Sequence, residues 1–158
     1  MFNLRNHYKA LSVIICLVVA AAFIAVGYMV APVLFSELAQ KQAGQIMAVL
    51  FNKLSLLALI LLMVVIAVTV YFERQLNTIK SLVLSLGLLV SLKFWISPWM
   101  AEIKASYPEG LNYGAADWNL FASLHGVYQL LYLIIVLLLF YWCIKVMLRR
   151  VEPVVAGC

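Results

Sequence analysis

Four long apolar stretches, separated by short polar breaks, dominate the chain. The first covers about residues 11–31, opened by Arg5 and Lys9 and closed by Pro32. The second covers about 54–72, with no charge inside it and "ERQ" at its end. The third covers about 81–97 and ends at "ISPW", and the fourth covers about 120–147. A helix needs roughly 20 apolar residues to cross a hydrocarbon core about 30 Å thick, so each stretch reads as a membrane span. Pro98 lacks an N–H and is expected to stop the third helix. Asp117 is placed to cap the fourth, whose length predicts tilt or emergence of its last turns into water. The first stretch continues over residues 23–31, past the "AAA" at 20–22 where a signal peptide could be cut. It is therefore expected to remain as an uncleaved anchor.

Between the first two stretches lies "SELAQKQAGQIMAVLFNK". Written as a helix, it puts Glu37, Gln40, Lys41, Gly44, Gln45 and Asn52 on one side, with Leu38, Ile46, Val49 and Leu50 on the other. Glu37 and Lys41 then sit at the supportive i,i+4 spacing. The pattern predicts an interfacial amphipathic helix between spans one and two, which could also form a lid or partner surface over the mouth of the bundle. The expected fold is all-α: an integral membrane four-helix antiparallel bundle, forming a single transmembrane domain over 1–158.

Composition removes the soluble alternative. The 158 residues are 67% hydrophobic, with a mean hydropathy of +1.09. A soluble domain is about 45–50% apolar, and a chain this short cannot bury the excess. The net charge of +5 is carried by residues at segment ends and in loops, where Lys and Arg set orientation rather than bind nucleic acid. With four spans both termini share one side. That side holds Arg5, Lys9, Arg74, Lys80, Lys145, Arg149 and Arg150, against Lys41, Lys53 and Lys104 on the other. The positive-inside rule then puts both termini in the cytoplasm. The 98–117 loop faces outward and is net acidic through Glu102, Glu109 and Asp117. Trp95, Trp99 and Trp118 form an outer aromatic belt, and Trp142 lies near the inner surface.

No Gly-rich phosphate loop, zinc-type Cys/His spacing or nucleophile elbow is present in the sequence. Cys16, Cys143 and Cys158 do not form a disulfide framework and read as small packing residues. Small residues also mark helix-packing faces: Ala21, Ala25, Gly27 and Ala31 in the first span, and Ser81, Ser85, Gly87 and Ser91 in the third. No cofactor is expected. The expected partner is the bilayer, with other membrane subunits or a second copy left open and no nucleic acid.

Two ionisable residues inside spans need a reason, because each is costly in lipid and tends to face the bundle interior or a wet cavity. Lys93 and His125 both fall roughly 7–12 Å from the outer surface at 1.5 Å per residue. His125, Gln129 and Tyr132 form one helical stripe, with Cys143 further down the same line. Gly126 would let a neighbouring backbone or ligand approach closely. Plain structure accounts for part of this pattern, through snorkelling of Lys93 and an interhelical hydrogen bond from His125. The alternative is a polar pocket lined by His125, Gln129, Tyr132 and Lys93, joined by Glu37 or Asn52. No metal site is assigned, and His125 is the one candidate ligand, since a single His without a partner makes a poor site.

Two motifs carry a family resemblance. "GYMVAPVLFSELAQKQAGQIMAVLF" over 27–51, and "SPWMAEIKA" followed by "FASLHG", resemble a bacterial four-helix membrane family, domain of unknown function 4149. That family is related to eukaryotic transmembrane-protein-205-like proteins. The resemblance extends over nearly the whole chain in order and spacing. It implies a four-span protein of the bacterial inner (plasma) membrane without established enzymology. Relatives associated with platinum-drug tolerance imply transport or metal handling. Ala31, Pro32 and Phe35 match the family's "AP…F" motif, and His125 and Gly126 match its His-Gly pair. Where the family continues with a serine and an asparagine, this chain has Tyr128 or Gln129, and Tyr132.

Three functions are expected from these features. The first is a non-enzymatic protein with an outward-facing intramembrane site for a small solute or metal species, related to transport or tolerance. The second is an accessory subunit of a larger membrane complex. The third, with least support from the residues, is a haem-binding or redox protein using His125 as an axial ligand.

Overall fold

A computed structural model describes residues 4–73, 76–108, 110–111 and 113–148. Arg74, Glu109, Arg149, Arg150, Cys158 and the Arg5 side chain lie outside the described residues. The described residues contain helices α1 (Leu4–Ile24), α2 (Ala31–Glu37), α3 (Gln40–Glu73), α4 (Leu76–Ser91), α5 (Ser97–Ala105) and α6 (Trp118–Leu148). A π-helical turn, Ala25–Val30, joins α1 to α2, and another, Leu92–Ile96, joins α4 to α5. Four continuous helical stretches are long and apolar enough to cross a membrane: His7–Glu37, Gln40–Glu73, Asn77–Ala105 and Trp118–Leu148. The protein is an all-α four-helix bundle and a multi-pass membrane protein.

The two prolines do not end their helices, contrary to expectation. Proline removes an N–H and its ring strikes the carbonyl four residues back. Just before each proline the backbone widens instead. Ala31 N–H bonds Val26 O, and Ser97 N–H bonds Leu92 O, both five residues back. The widened turn makes room for the ring, so the first span runs on to Glu37 and the third to Ala105.

The separate interfacial helix expected between spans one and two does not form. The chain turns at Leu38, whose φ of −121° and ψ of 155° are extended. From Gln40 to Glu73 a single helix of 34 residues continues into the second span. Nothing after Ala39 breaks the ladder, and helix propagation is cooperative. Its buried stripe Ala43, Met47, Ser55, Ala58, Leu62, Val65 and Thr69 runs through the whole length. Glu37 and Lys41 therefore lie on different helices, and the Lys41 ammonium donates to the Pro108 carbonyl.

The first span packs on α3 and α6, and α4 packs on the same two helices, so consecutive hairpins close a four-membered ring. The end holding the start of α1 and the end of α6, here the proximal end, is tied by polar contacts. Lys9 pairs with Glu73 at 2.6 Å, and Trp142 Nε1–H donates to Thr78 O at 2.9 Å. Lys145 Nζ donates to Asn77 O at 3.3 Å. At the distal end the contacts change partners: α1 packs along α6, while α2, beyond the π-turn, packs on α3. That divergence opens a space in the distal half of the bundle. The distal connection is closed by the Tyr107 hydroxyl, which donates to Asp117 Oδ2 at 3.0 Å. Asp117 immediately precedes α6, and its carbonyl accepts the Phe121 N–H at 2.9 Å.

Candidate functional site

Where the first span leaves α6, a cavity of about 580 Å³ remains between the helices. This is a common size for a small-molecule site. Phe23, Gly27, Ala31 and Phe35 wall it from the first span, and Gly44, Met47 and Phe51 from α3. Ser97 and Lys104 enter from α5, and His125, Tyr128, Gln129 and Tyr132 from α6. Gly27 faces α3 across this wall, where a Cβ would lie in ordinary contact, 3.9 Å from the Phe51 ring.

Tyr132 is buried, and its hydroxyl lies 3.0 Å from Ser55 Oγ across the bundle. Its ring meets Phe23 edge-on at 4.5 Å, Phe51 edge-on at 5.1 Å and Tyr128 in a stack at 5.3 Å. Four rings locked in this way make a stiff wall. One turn further along α6, Gln129 Nε2 lies 3.1 Å from His125 Nε2. A carboxamide nitrogen can only donate, so His125 Nε2 accepts and the imidazole proton is held on Nδ1. The His125 ring stacks on Phe121 at 6.0 Å, and Lys104 Nζ sits 5.1 Å from the centre of the Phe121 ring. Gly44 of α3 is a neighbour of that ammonium, a Cβ there lying 3.8 Å from it. The result is a largely apolar cavity with a cluster of donors at its distal end.

The fold brings together part of the set read from the sequence. His125, Gln129, Tyr132, Ala31 and Phe35 line the cavity. Lys93 and Asn52 do not; Lys93 Nζ donates to the Asn52 side-chain oxygen and to its backbone carbonyl at 3.3 Å. They form a polar link between spans two and three. Depth along a helix was readable, but direction around it was not, and the π-turn Leu92–Ile96 that holds Lys93 changes that direction further. Glu37, at the end of α2, and Pro32 are exposed and lie off the cavity. Gly126 is also exposed, and a Cβ there would meet nothing within 4 Å, so the close approach expected at this residue does not occur among the described residues. Cys143 is buried nearer the proximal end, its thiol 3.8 Å from Val13 O. Among the described residues no group of three His, Cys, Asp or Glu side chains is placed to hold a metal ion.

Lys104, Tyr128 and Ser97, which line the cavity, and Ser55, which braces Tyr132 without lining it, are not among the residues expected from the sequence. Tyr128 was findable, since it is three residues from His125 and four from Tyr132 and so shares their side of α6. Ser55 is a hydroxyl within the buried stripe of α3. Lys104 reads as a loop residue if Pro98 ends the third helix, whereas the continued helix places it on α5.

A family model described as "Domain of unknown function (DUF4149)" matches residues 17–109. The matched segment runs from α1 to the end of α5 and includes Gly44, Phe51 and Lys104; α6 lies beyond it. No curated protein matches the chain, and no solved structure does.

Proposed function

The chain belongs to this family of unknown function, and from its distal cavity we propose that it is a non-enzymatic membrane protein that binds a small molecule between its helices, in a transport- or tolerance-related role. The observation that carries this is the cavity of about 580 Å³ with the His125–Gln129 pair on its wall. Polar side chains in a span are costly unless they face protein or a cavity, and here they face a cavity. The stiff aromatic wall beside them supports a preformed site rather than a gap between loosely packed helices.

The bacterial inner membrane, with both termini in the cytoplasm, is the proposed setting. The basic residues favour it: Lys9, Lys80 and Lys145 belong to the proximal end, and Arg5, Arg74, Arg149 and Arg150 neighbour them in sequence. The cavity would then face the outer half of the bilayer.

Native mass spectrometry on protein extracted gently from its own membranes tests the proposal. A retained small mass is expected in the wild type. It should be lost from Ala48→Trp, since Ala48 of α3 lines the cavity and an indole there would fill it, and weakened in His125→Ala, with both variants still inserting and unfolding like the parent. A wild type that retains only a protein subunit, unaffected by either substitution, would overturn the proposal in favour of an accessory role.

A further inference from the structure

Given the binding function proposed for it, the same cavity also carries information about the chemistry of its occupant. Its charged lining is one-sided. Among the described residues Lys104 contributes an ammonium, and no Asp or Glu lines the cavity. Glu37 and Glu102 are exposed outside it. The Lys9–Glu73 ion pair is at the opposite end of the bundle, and Lys104 lies against the Phe121 ring, with no carboxylate paired to it among the described residues. Beside it His125, with Nε2 occupied by Gln129, keeps an Nδ1–H to give. One cation and adjacent neutral donors suit a single anionic group bearing two oxygens.

Beyond Tyr132 the lining of α6 is wholly apolar: Leu133, Val136, Leu137 and Phe140. From His125 to Phe140 is about 22 Å at 1.5 Å per residue, enough for an extended long acyl chain. Tyr28 on the first span is 66% exposed and Leu137 on α6 is 57% exposed, and both line the cavity, so its long side opens toward lipid. An entrance between helices at membrane depth admits molecules that already reside in the bilayer. A small hydrophilic solute would leave most of this lining unmatched, and a metal ion would find too few ligands.

We infer that the occupant is a long-chain fatty acid, its carboxylate at Lys104 and His125 and its chain lying along α6 toward Phe140. Lys104 would select the head and the aromatic wall would hold the first part of the tail.

The full-length protein in phosphatidylcholine nanodiscs can be titrated with radiolabelled palmitate and with hexadecanol, which has the same chain and no charge. Saturable palmitate binding is expected, with hexadecanol weaker by about tenfold, the order of effect of one charge-assisted contact. Lys104→Gln should weaken palmitate to the level of hexadecanol and leave hexadecanol unchanged. Ala48→Trp should abolish binding of both. Equal affinity of the wild type for both ligands, or no change in Lys104→Gln, would overturn the anionic head while the cavity still binds. A lysophospholipid that displaces palmitate at lower concentration would reassign the head to phosphate and equally overturn the carboxylate. Loss of the retained mass in the native spectra, together with no binding in the nanodiscs, would instead remove the binding function itself.

Discussion

Removing the Ser55 hydroxyl tests whether the site is held by one hydrogen bond across the bundle. Ser55 and Tyr132 lie 77 positions apart in sequence, on α3 and α6, with their oxygens 3.0 Å apart. Both are buried, Ser55 at 3% and Tyr132 at 7% exposure, so a Tyr132 hydroxyl that loses Ser55 has little water to turn to and keeps only the Tyr128 hydroxyl as a neighbour. A stranded buried hydroxyl costs about 1–3 kcal/mol in soluble proteins, whereas interhelical bonds in membranes average about 0.6 and reach about 1.7. Ser55→Ala should therefore cost about 1 kcal/mol. Tyr132→Phe should cost less, about 0.5 kcal/mol, because the ring keeps its aromatic contacts and a helical serine can turn to the carbonyl four residues back. The double variant completes a cycle whose coupling should fall near 0.5–1.5 kcal/mol. Reversible unfolding in mixed micelles of rising dodecyl sulfate fraction, followed by circular dichroism, supplies all four values. A coupling below about 0.2 kcal/mol would refute the bond as a tie between the two spans.

Trp142→Phe removes the indole N–H given to Thr78 O from a residue only 1% exposed. It should cost about 1 kcal/mol in the same unfolding series, with the small-molecule mass still retained. Lys93→Met keeps the aliphatic stem and deletes the link to Asn52, so it should lower stability by under about 1 kcal/mol and leave ligand retention unchanged, in contrast to His125→Ala. Gly110 adopts φ +107° in the distal loop. Gly110→Ala should cost about 1–2 kcal/mol locally, seen as faster proteolysis of the 106–117 loop without loss of the helical signal.

The places where the sequence misled share a cause. Pro32 and Pro98 look like stops because a regular α-helix has no answer to a missing N–H and a ring in the way. The answer found here is one wide turn before each proline, Ala25–Val30 and Leu92–Ile96. Those turns lengthen two spans, bring Lys104 into a helix, and rotate the residues beyond them. Periodicity along residues 36–53 was real, but its apolar side, Ile46, Val49 and Leu50, belongs to the outward surface of a long span and not to a separate interfacial helix.

Length and solvent alone account for the spans. Stretches of some 20 apolar residues in so short a chain have no alternative to spanning a bilayer as helices, because lipid offers the backbone no other hydrogen-bond partner. The stripe His125, Gln129 and Tyr132 was equally legible, since helical geometry alone puts those positions on one side. Which stripes meet was settled by the folded bundle. Membrane helices associate through packing detail rather than a strong hydrophobic drive, so azimuth and partner depend on contacts between residues far apart in the chain. That is why Lys93 pairs with Asn52 away from the cavity, and why Ser55 and Lys104, from two other helices, complete the surroundings of a site whose first residues were already visible on α6.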